Sequence, residues 1–108
     1  MKPYRLYIAY VSWGGEGKPR PVLIMSVRGE NAFVYSITTQ YENKSPAVQA
    51  HYFKIARWAK AGLEKQSYVD TTVRFSIPLE KLKDKLFIGK LSSSDKENLS
   101  RFLAKKER

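Results

Sequence analysis

Residues 18–25, KPRPVLIM, decide the predicted fold because a rigid basic stretch leads there directly into an apolar strand. Pro19 and Pro21 stand on either side of Arg20, and each proline fixes its own backbone φ angle. The residue before a proline is also pushed toward extended geometry. The stretch therefore predicts a strand over 21–26 that starts beside a long cation held on a stiff backbone.

Short runs rich in β-branched and aromatic residues predict the other strands. We expect strands at 6–11, 32–39, 67–77 and 86–90. The first three strands in the chain form a predicted antiparallel meander, with a glycine-containing loop over 12–19 after the first of them. Because Pro21 has no N–H, it belongs at the start of its strand or at a sheet edge.

The clearest single element is a C-terminal helix. Ser92 is a good N-cap, and Asp95 follows three residues later at the spacing of a capping box. Leu99, Phe102 and Leu103 then form one apolar stripe at helical spacing. These features predict a helix that starts after residue 92 and buries one face.

Residues 47–61 leave two interpretations open. They form either a short strand over 51–55 followed by a helical turn that Gly62 closes, or one continuous helix. About six short strands and one terminal helix predict a mainly β domain with minor α content. We expect a small, strongly bent barrel with a C-terminal α-helix.

Length and charge bound the function. A chain of 108 residues is predicted to form a single domain over 1–108. Its net charge of +10 is spread over both halves of the chain. Such an excess of basic residues favours a polyanionic partner, which means nucleic acid, an anionic membrane or an acidic protein.

The composition also excludes several kinds of site. The chain has no cysteine, which excludes disulfides and thiolate zinc sites, and its single histidine, His51, excludes a multi-histidine metal centre. No apolar run approaches the roughly 18 residues that a membrane span needs. The N-terminus leads into an alternating strand rather than a secretion signal. We therefore expect a cytoplasmic protein that has no membrane partner and uses neither a metal nor a cofactor.

Two polar side chains suggest the chemistry. The strand after Arg20 is followed by a second strand that ends in ITTQ, residues 37–40. If the two strands pair, Arg20 and Thr38 face one pocket, where an arginine fork can grip a phosphate and a hydroxyl can donate to it. RNA cleavage suits so sparse a set because RNA carries its own nucleophile, the ribose 2′-hydroxyl. Since neither side chain titrates near neutrality, positioning and electrostatics would supply most of the acceleration.

An ordered series of segments resembles one family over nearly the whole chain. The strand start RPVLI at 20–24 follows a glycine-rich loop and precedes ITTQ at 37–40. GLEKQSYVDT at 62–71 and IGKLS at 88–92, followed by the terminal helix, complete the series. Together they resemble the MazF/PemK family of toxin–antitoxin endoribonucleases.

The resemblance implies an SH3-like barrel of the CcdB/MazF/PemK-like type and a homodimer. It also implies metal-independent, sequence-selective cleavage of single-stranded RNA, leaving 2′,3′-cyclic phosphate and 5′-hydroxyl ends. The implied partner is a cognate antitoxin with an acidic, disordered C-terminal tail.

The resemblance places the family's catalytic arginine on Arg20 and its catalytic threonine on Thr38. Thr39 points to the opposite face by strand alternation. In the PemK branch an aspartate matches Asp70, but the arginine expected near it is Tyr68 here. The residues predicted to bind substrate are Trp13, Lys18, Gln40 and Asp70, of which Trp13 would stack on a base.

Two other functions are consistent with the same sequence. The first is a non-catalytic barrel that binds nucleic acid, RNA or DNA, through the basic surface and the loop tryptophan. The second is a toxin of the same fold that acts on a protein, as the gyrase-poisoning relatives do. Intact RNA after long incubation favours the first, and toxicity that survives loss of Arg20 and Thr38 favours the second.

Overall fold

The computed structural model describes residues 2–13, 16–82 and 86–106, and within 10–18 it describes the backbone but not the side chains. Six strands form one antiparallel sheet in the order β4-β5-β3-β2-β1-β6. Their bounds are β1 (Arg5–Trp13), β2 (Glu16–Arg28), β3 (Asn31–Thr38), β4 (Tyr52–Lys54), β5 (Tyr68–Pro78) and β6 (Phe87–Lys90). The helices are α1 (Pro46–Gln49), a 3₁₀ turn (Leu79–Lys81) and α2 (Ser93–Lys106).

The prediction of a mainly β domain with a C-terminal helix is confirmed. Within the described residues the sheet is open, because β4 and β6 end the strand order and no ladder joins them. In the same ranges, no helix has the length and apolar character needed to cross a membrane.

Strand β2 is longer than the sequence predicts. Its pairing with β1 runs from Leu6↔Leu23 to Trp13↔Glu16, so the prediction of a loop over 12–19 is wrong for most of that range. Residues 16–19 are a strand because they pair with the end of β1. Local glycine and proline content does not reveal this pairing. The pairing of β2 with β3 starts only at Val22. Pro19 and Pro21 therefore lie where β2 has a single partner, as a residue without an N–H requires.

Apolar side chains pack on both faces of the sheet. On β2, Leu23 faces one cluster, whereas Val22 and Ile24 face the other, as strand alternation dictates. The first cluster also receives Leu99 of α2. The second face continues beyond its apolar residues into the polar ends of β2 and β3, and this is where the candidate site lies.

Residues 47–61 form a short helix, a strand and a turn, so the interpretation as one helix is wrong. Strand β4 pairs with β5 and buries Phe53, and Ile55 directly after the strand is buried as well, a period of two that belongs to extended backbone. The following turn ends at Gly62, whose φ of +92° is open to glycine at little cost.

Helix α2 holds the turn that follows β4 through hydrogen bonds to its backbone. The hydroxyl of Ser92 accepts a hydrogen bond from the backbone N–H of Asp95 at 3.2 Å, which is half of the predicted capping box. The buried carboxylate of Asp95 accepts the backbone N–H groups of Ala56 at 3.1 Å and Arg57 at 2.9 Å. One acidic side chain thus joins the helix start to the segment that follows β4.

Candidate active site

A row of side chains crosses four strands on one face of the sheet. The backbone register pairs Val22 with Ser36, Ser36 with Asp70, and Asp70 with Tyr52. Directly opposed residues on neighbouring strands point to the same face with Cβ atoms about 5 Å apart. The row therefore brings a hydroxyl, a carboxylate and a phenol together from β3, β5 and β4.

A second row contains the two residues predicted to be catalytic. Arg20 precedes Val22 by two residues and Thr38 follows Ser36 by two, so both share the face of the first row. The β2–β3 ladder begins at Val22↔Ser36, so Arg20 and Thr38 lie just beyond its end, each on its own strand. Both side chains line the same pocket, where they can contact one phosphate group.

Polar side chains from both rows line one pocket. Its volume is about 290 Å³, close to the lower end of the range for small-molecule sites. Arg20, Thr38, Asp70 and Tyr52 are each partly buried, and all four line the pocket. The full lining consists of Arg20, Ser36, Ile37, Thr38, Gln40, Lys44, Tyr52 and Asp70.

The hydroxyl of Thr38 is oriented by its own chain. Its Oγ1 accepts a hydrogen bond from the backbone N–H of Gln40 at 3.0 Å. Because that bond occupies a lone pair, the hydroxyl proton remains available to a ligand. The side chain of Gln40 is also oriented, since its Oε1 accepts a hydrogen bond from Nδ2 of Asn43 at 3.2 Å.

The carboxylate of Asp70 is also fixed. Its Oδ1 accepts the backbone N–H of Thr72 at 2.9 Å. Burial raises the pKa of Tyr52, and the negative charge of Asp70 raises it further. Tyr52 therefore stays a neutral phenol, able to donate a hydrogen bond, beyond the pH at which an ordinary tyrosine ionises.

Aromatic rings support the pocket on one side. Tyr41 stacks on Tyr68 with ring centres 4.4 Å apart and an interplanar angle of 6°. Its ring centre also lies 6.3 Å from that of Tyr52. These contacts are within the range of favourable aromatic pairs and restrict how Tyr52 can move.

An apolar groove adjoins the polar pocket. It has a volume of about 560 Å³ and shares Ser36, Tyr52 and Asp70 with the pocket. Its apolar wall includes Val48 and Val73, whose exposed fractions of 37% and 51% are high for valine. The other lining residues are Ala47, His51, Thr72 and Phe75.

The structure brings four of the predicted site residues together, namely Arg20, Thr38, Gln40 and Asp70. The side chains of Trp13 and Lys18 lie outside the described part of the chain. Tyr52 and Lys44 line the pocket but were not predicted from the sequence. Tyr52 could have been predicted from its position opposite Asp70, but only once the register of β4 on β5 is known. Among the described residues, no cluster of three histidine or acidic side chains is placed to hold a metal ion.

Comparison with known proteins places this architecture. A scan against protein-family models gave no match, and neither did a search of curated proteins. Among solved structures, the Mycobacterium tuberculosis toxin MazF-mt6 superposes with a TM-score of 0.70 at 26% identity, covering 96% of this chain and 94% of that one. The chain has a MazF-like toxin fold.

A second solved structure, described as an Mtb toxin, gives a TM-score of 0.66 at 24% identity, with 94% of this chain and 97% of that chain covered. Both superpositions extend over nearly the full length of each chain. The MazF-like fold therefore includes the strands that carry the pocket and the terminal helix that supports them.

Proposed function

We propose that this protein is the toxin of a toxin–antitoxin pair and acts as an endoribonuclease on single-stranded RNA. The observation that carries the proposal is the placement of Arg20 and Thr38 on one face, lining one pocket. The likeness to the toxin MazF-mt6 supports the same class of activity. We assign the catalytic roles to Arg20 and Thr38, and substrate contacts to Gln40 and Asp70.

The proposed reaction uses the nucleophile that RNA supplies. The ribose 2′-oxygen attacks the neighbouring phosphorus, a pentavalent phosphorane forms, and the 5′-oxygen leaves. Arg20 stabilises the added charge on the phosphoryl oxygens, because its planar fork matches two of them. The available proton of Thr38 hydrogen-bonds to one of these oxygens. The products are a 2′,3′-cyclic phosphate and a 5′-hydroxyl, and no step requires a metal.

The charge and the groove suit the partners of such a toxin. A net charge of +10 attracts RNA and equally the acidic tail of a cognate antitoxin. The apolar groove offers a surface on which the extended antitoxin tail or the RNA can bury apolar groups. We further propose a cytoplasmic homodimer, as the MazF-like fold suggests.

Matched substitutions test the site. In excess EDTA, Arg20→Ala should slow RNA cleavage at least about 100-fold, the usual effect of removing a group that stabilises transition-state charge. Arg28→Ala is the control, because it removes the same charge from the exposed end of the same strand. Thr38→Val should slow cleavage about tenfold, because it removes one hydrogen bond from the transition state. Thr39→Val should leave the cleavage rate nearly unchanged.

The controls also separate the alternatives. If Arg20→Ala and Arg28→Ala cleave at the wild-type rate, the site assignment is wrong. If the wild type binds RNA in a salt-sensitive manner but leaves it intact, the protein is a binding module. If both pocket variants remain toxic in cells whose transcripts are intact, the target is a protein.

A further inference from the structure

The proposed reaction needs a proton at the leaving 5′-oxygen. Arg20 and Thr38 are poor donors of that proton, because guanidinium and aliphatic hydroxyl groups are very weak acids. An alkoxide is a poor leaving group without protonation. A positioned acid typically contributes about 10²–10⁴-fold to such a step.

Tyr52 is the acid that the pocket offers. It lines the same pocket as Arg20 and Thr38. Tyr52 lies on β4, and Arg20 lies on β2 at the other side of the pocket. Three strand spacings separate β4 from β2 in the sheet order, which is roughly 14 Å between backbones. Arginine and tyrosine are long enough to point toward each other over this distance, with a phosphodiester between them.

The surroundings keep the phenol protonated and in place. Burial and the nearby carboxylate of Asp70 both favour the neutral phenol. The ring of Tyr41 packs 6.3 Å away, and the backbone of β4 is locked to β5 by the pairs Tyr52↔Asp70 and Phe53↔Val69. A neutral tyrosine is a stronger acid than the ribose alcohol it would protonate, so proton transfer to the leaving oxygen is downhill.

We propose that Tyr52 is the general acid of the cleavage reaction and protonates the leaving 5′-oxygen. This inference rests on the proposed endoribonuclease function. In the step, the bond from the 2′-oxygen to phosphorus forms and the bond from phosphorus to the 5′-oxygen breaks. The Tyr52 proton passes to the 5′-oxygen, and the 2′-hydroxyl proton passes to solvent water. A proton from solvent then restores the Tyr52 phenol.

A substrate with a sulfur leaving atom tests this role. RNA with a bridging 5′-sulfur at the cleaved linkage releases a thiolate, which needs no proton to leave. Tyr52→Phe keeps the ring and its packing but removes the acid. It should slow cleavage of ordinary RNA by about 100-fold or more while leaving cleavage of the sulfur-substituted RNA within about threefold of wild type.

Tyr41→Phe is the matched control, because this ring packs near Tyr52 but does not line the pocket. It should cleave both substrates at the wild-type rate. Equal losses on both substrates in Tyr52→Phe would show a structural or binding role and overturn the inference. An unchanged rate on ordinary RNA would overturn it as well. If the wild type cleaves neither substrate, the proposed function itself has failed.

Discussion

Replacing Asp95 with alanine removes the contact that joins helix α2 to the segment after β4. The carboxylate is fully buried and accepts the backbone N–H groups of Ala56 and Arg57, at 3.1 Å and 2.9 Å, and the hydroxyl of Ser92 at 3.2 Å. Hydrogen bonds to a charged group contribute about 1.5–3 kcal/mol each. The substitution leaves two backbone donors without their partner, so we expect a loss of about 3–5 kcal/mol in the free energy of unfolding.

Urea denaturation followed by tryptophan fluorescence measures this loss. With a slope of about 1–3 kcal/mol per molar urea for a chain of this size, the midpoint should fall by at least about 1 M. Glu97→Ala is the control in the same helix. Its ion pair with Arg101 is long, 3.9 Å, and both side chains are more than 70% exposed, so its loss should cost less than about 0.5 kcal/mol.

A midpoint for Asp95→Ala as close to wild type as that of the control would refute the reasoning. It would mean that the turn after β4 holds its position without the helix. The result bears on function, because β4 carries Tyr52 into the pocket and this turn follows it directly.

Substitutions at four other positions give further tests. Gly89→Ala should destabilise the fold by several kcal/mol in thermal melting, because the new Cβ would clash with the backbone carbonyl of Ala61; a melting temperature equal to wild type would contradict the close approach. Asp70→Asn should lower the pKa of Tyr52 but leave it above 10.0, since burial is the larger cause. Absorbance titration of the wild type and of Asp70→Asn measures the two pKa values, and Tyr52→Phe identifies which part of the signal belongs to Tyr52. Because the folded pKa is raised, Tyr52 should make the wild type lose stability as pH rises above 10.0, and Tyr52→Phe should abolish that part of the loss. Lys44→Ala should weaken RNA binding and reduce the slope of log K against log salt by about 0.7, as expected if Lys44 contacts one phosphate of a single strand, whereas the exposed Lys60→Ala should leave the slope unchanged.

Much of the fold is encoded locally and could be predicted. Strand β3 was expected at 32–39 and runs over Asn31–Thr38, and α2 begins directly after the predicted N-cap Ser92. Both follow from short-range patterns, alternation for the strand and capping chemistry for the helix. The same alternation predicts that Thr38 and Thr39 point to opposite faces, and of the two only Thr38 lines the pocket.

The rest depends on pairings between distant segments. The extension of β2 to Glu16 is a property of its ladder with β1, so local glycine and proline content suggested a loop instead. Tyr52 enters the pocket only because β4 pairs with β5 in a register that sets it opposite Asp70. The hydrogen bonds of Asp95 to Ala56 and Arg57 join residues that lie 39 and 38 positions apart in the sequence. No capping pattern, which covers about three or four residues, could have predicted them.

The central claim is that the pocket of Arg20 and Thr38 cleaves RNA without a metal. End-group analysis of RNA incubated with the protein in excess EDTA tests it most directly, with Arg20→Ala in parallel. We predict 2′,3′-cyclic phosphate and 5′-hydroxyl ends with the wild type and at least about 100-fold fewer of them with Arg20→Ala. Intact RNA with the wild type, or the same ends at the same rate with Arg20→Ala, would contradict the account.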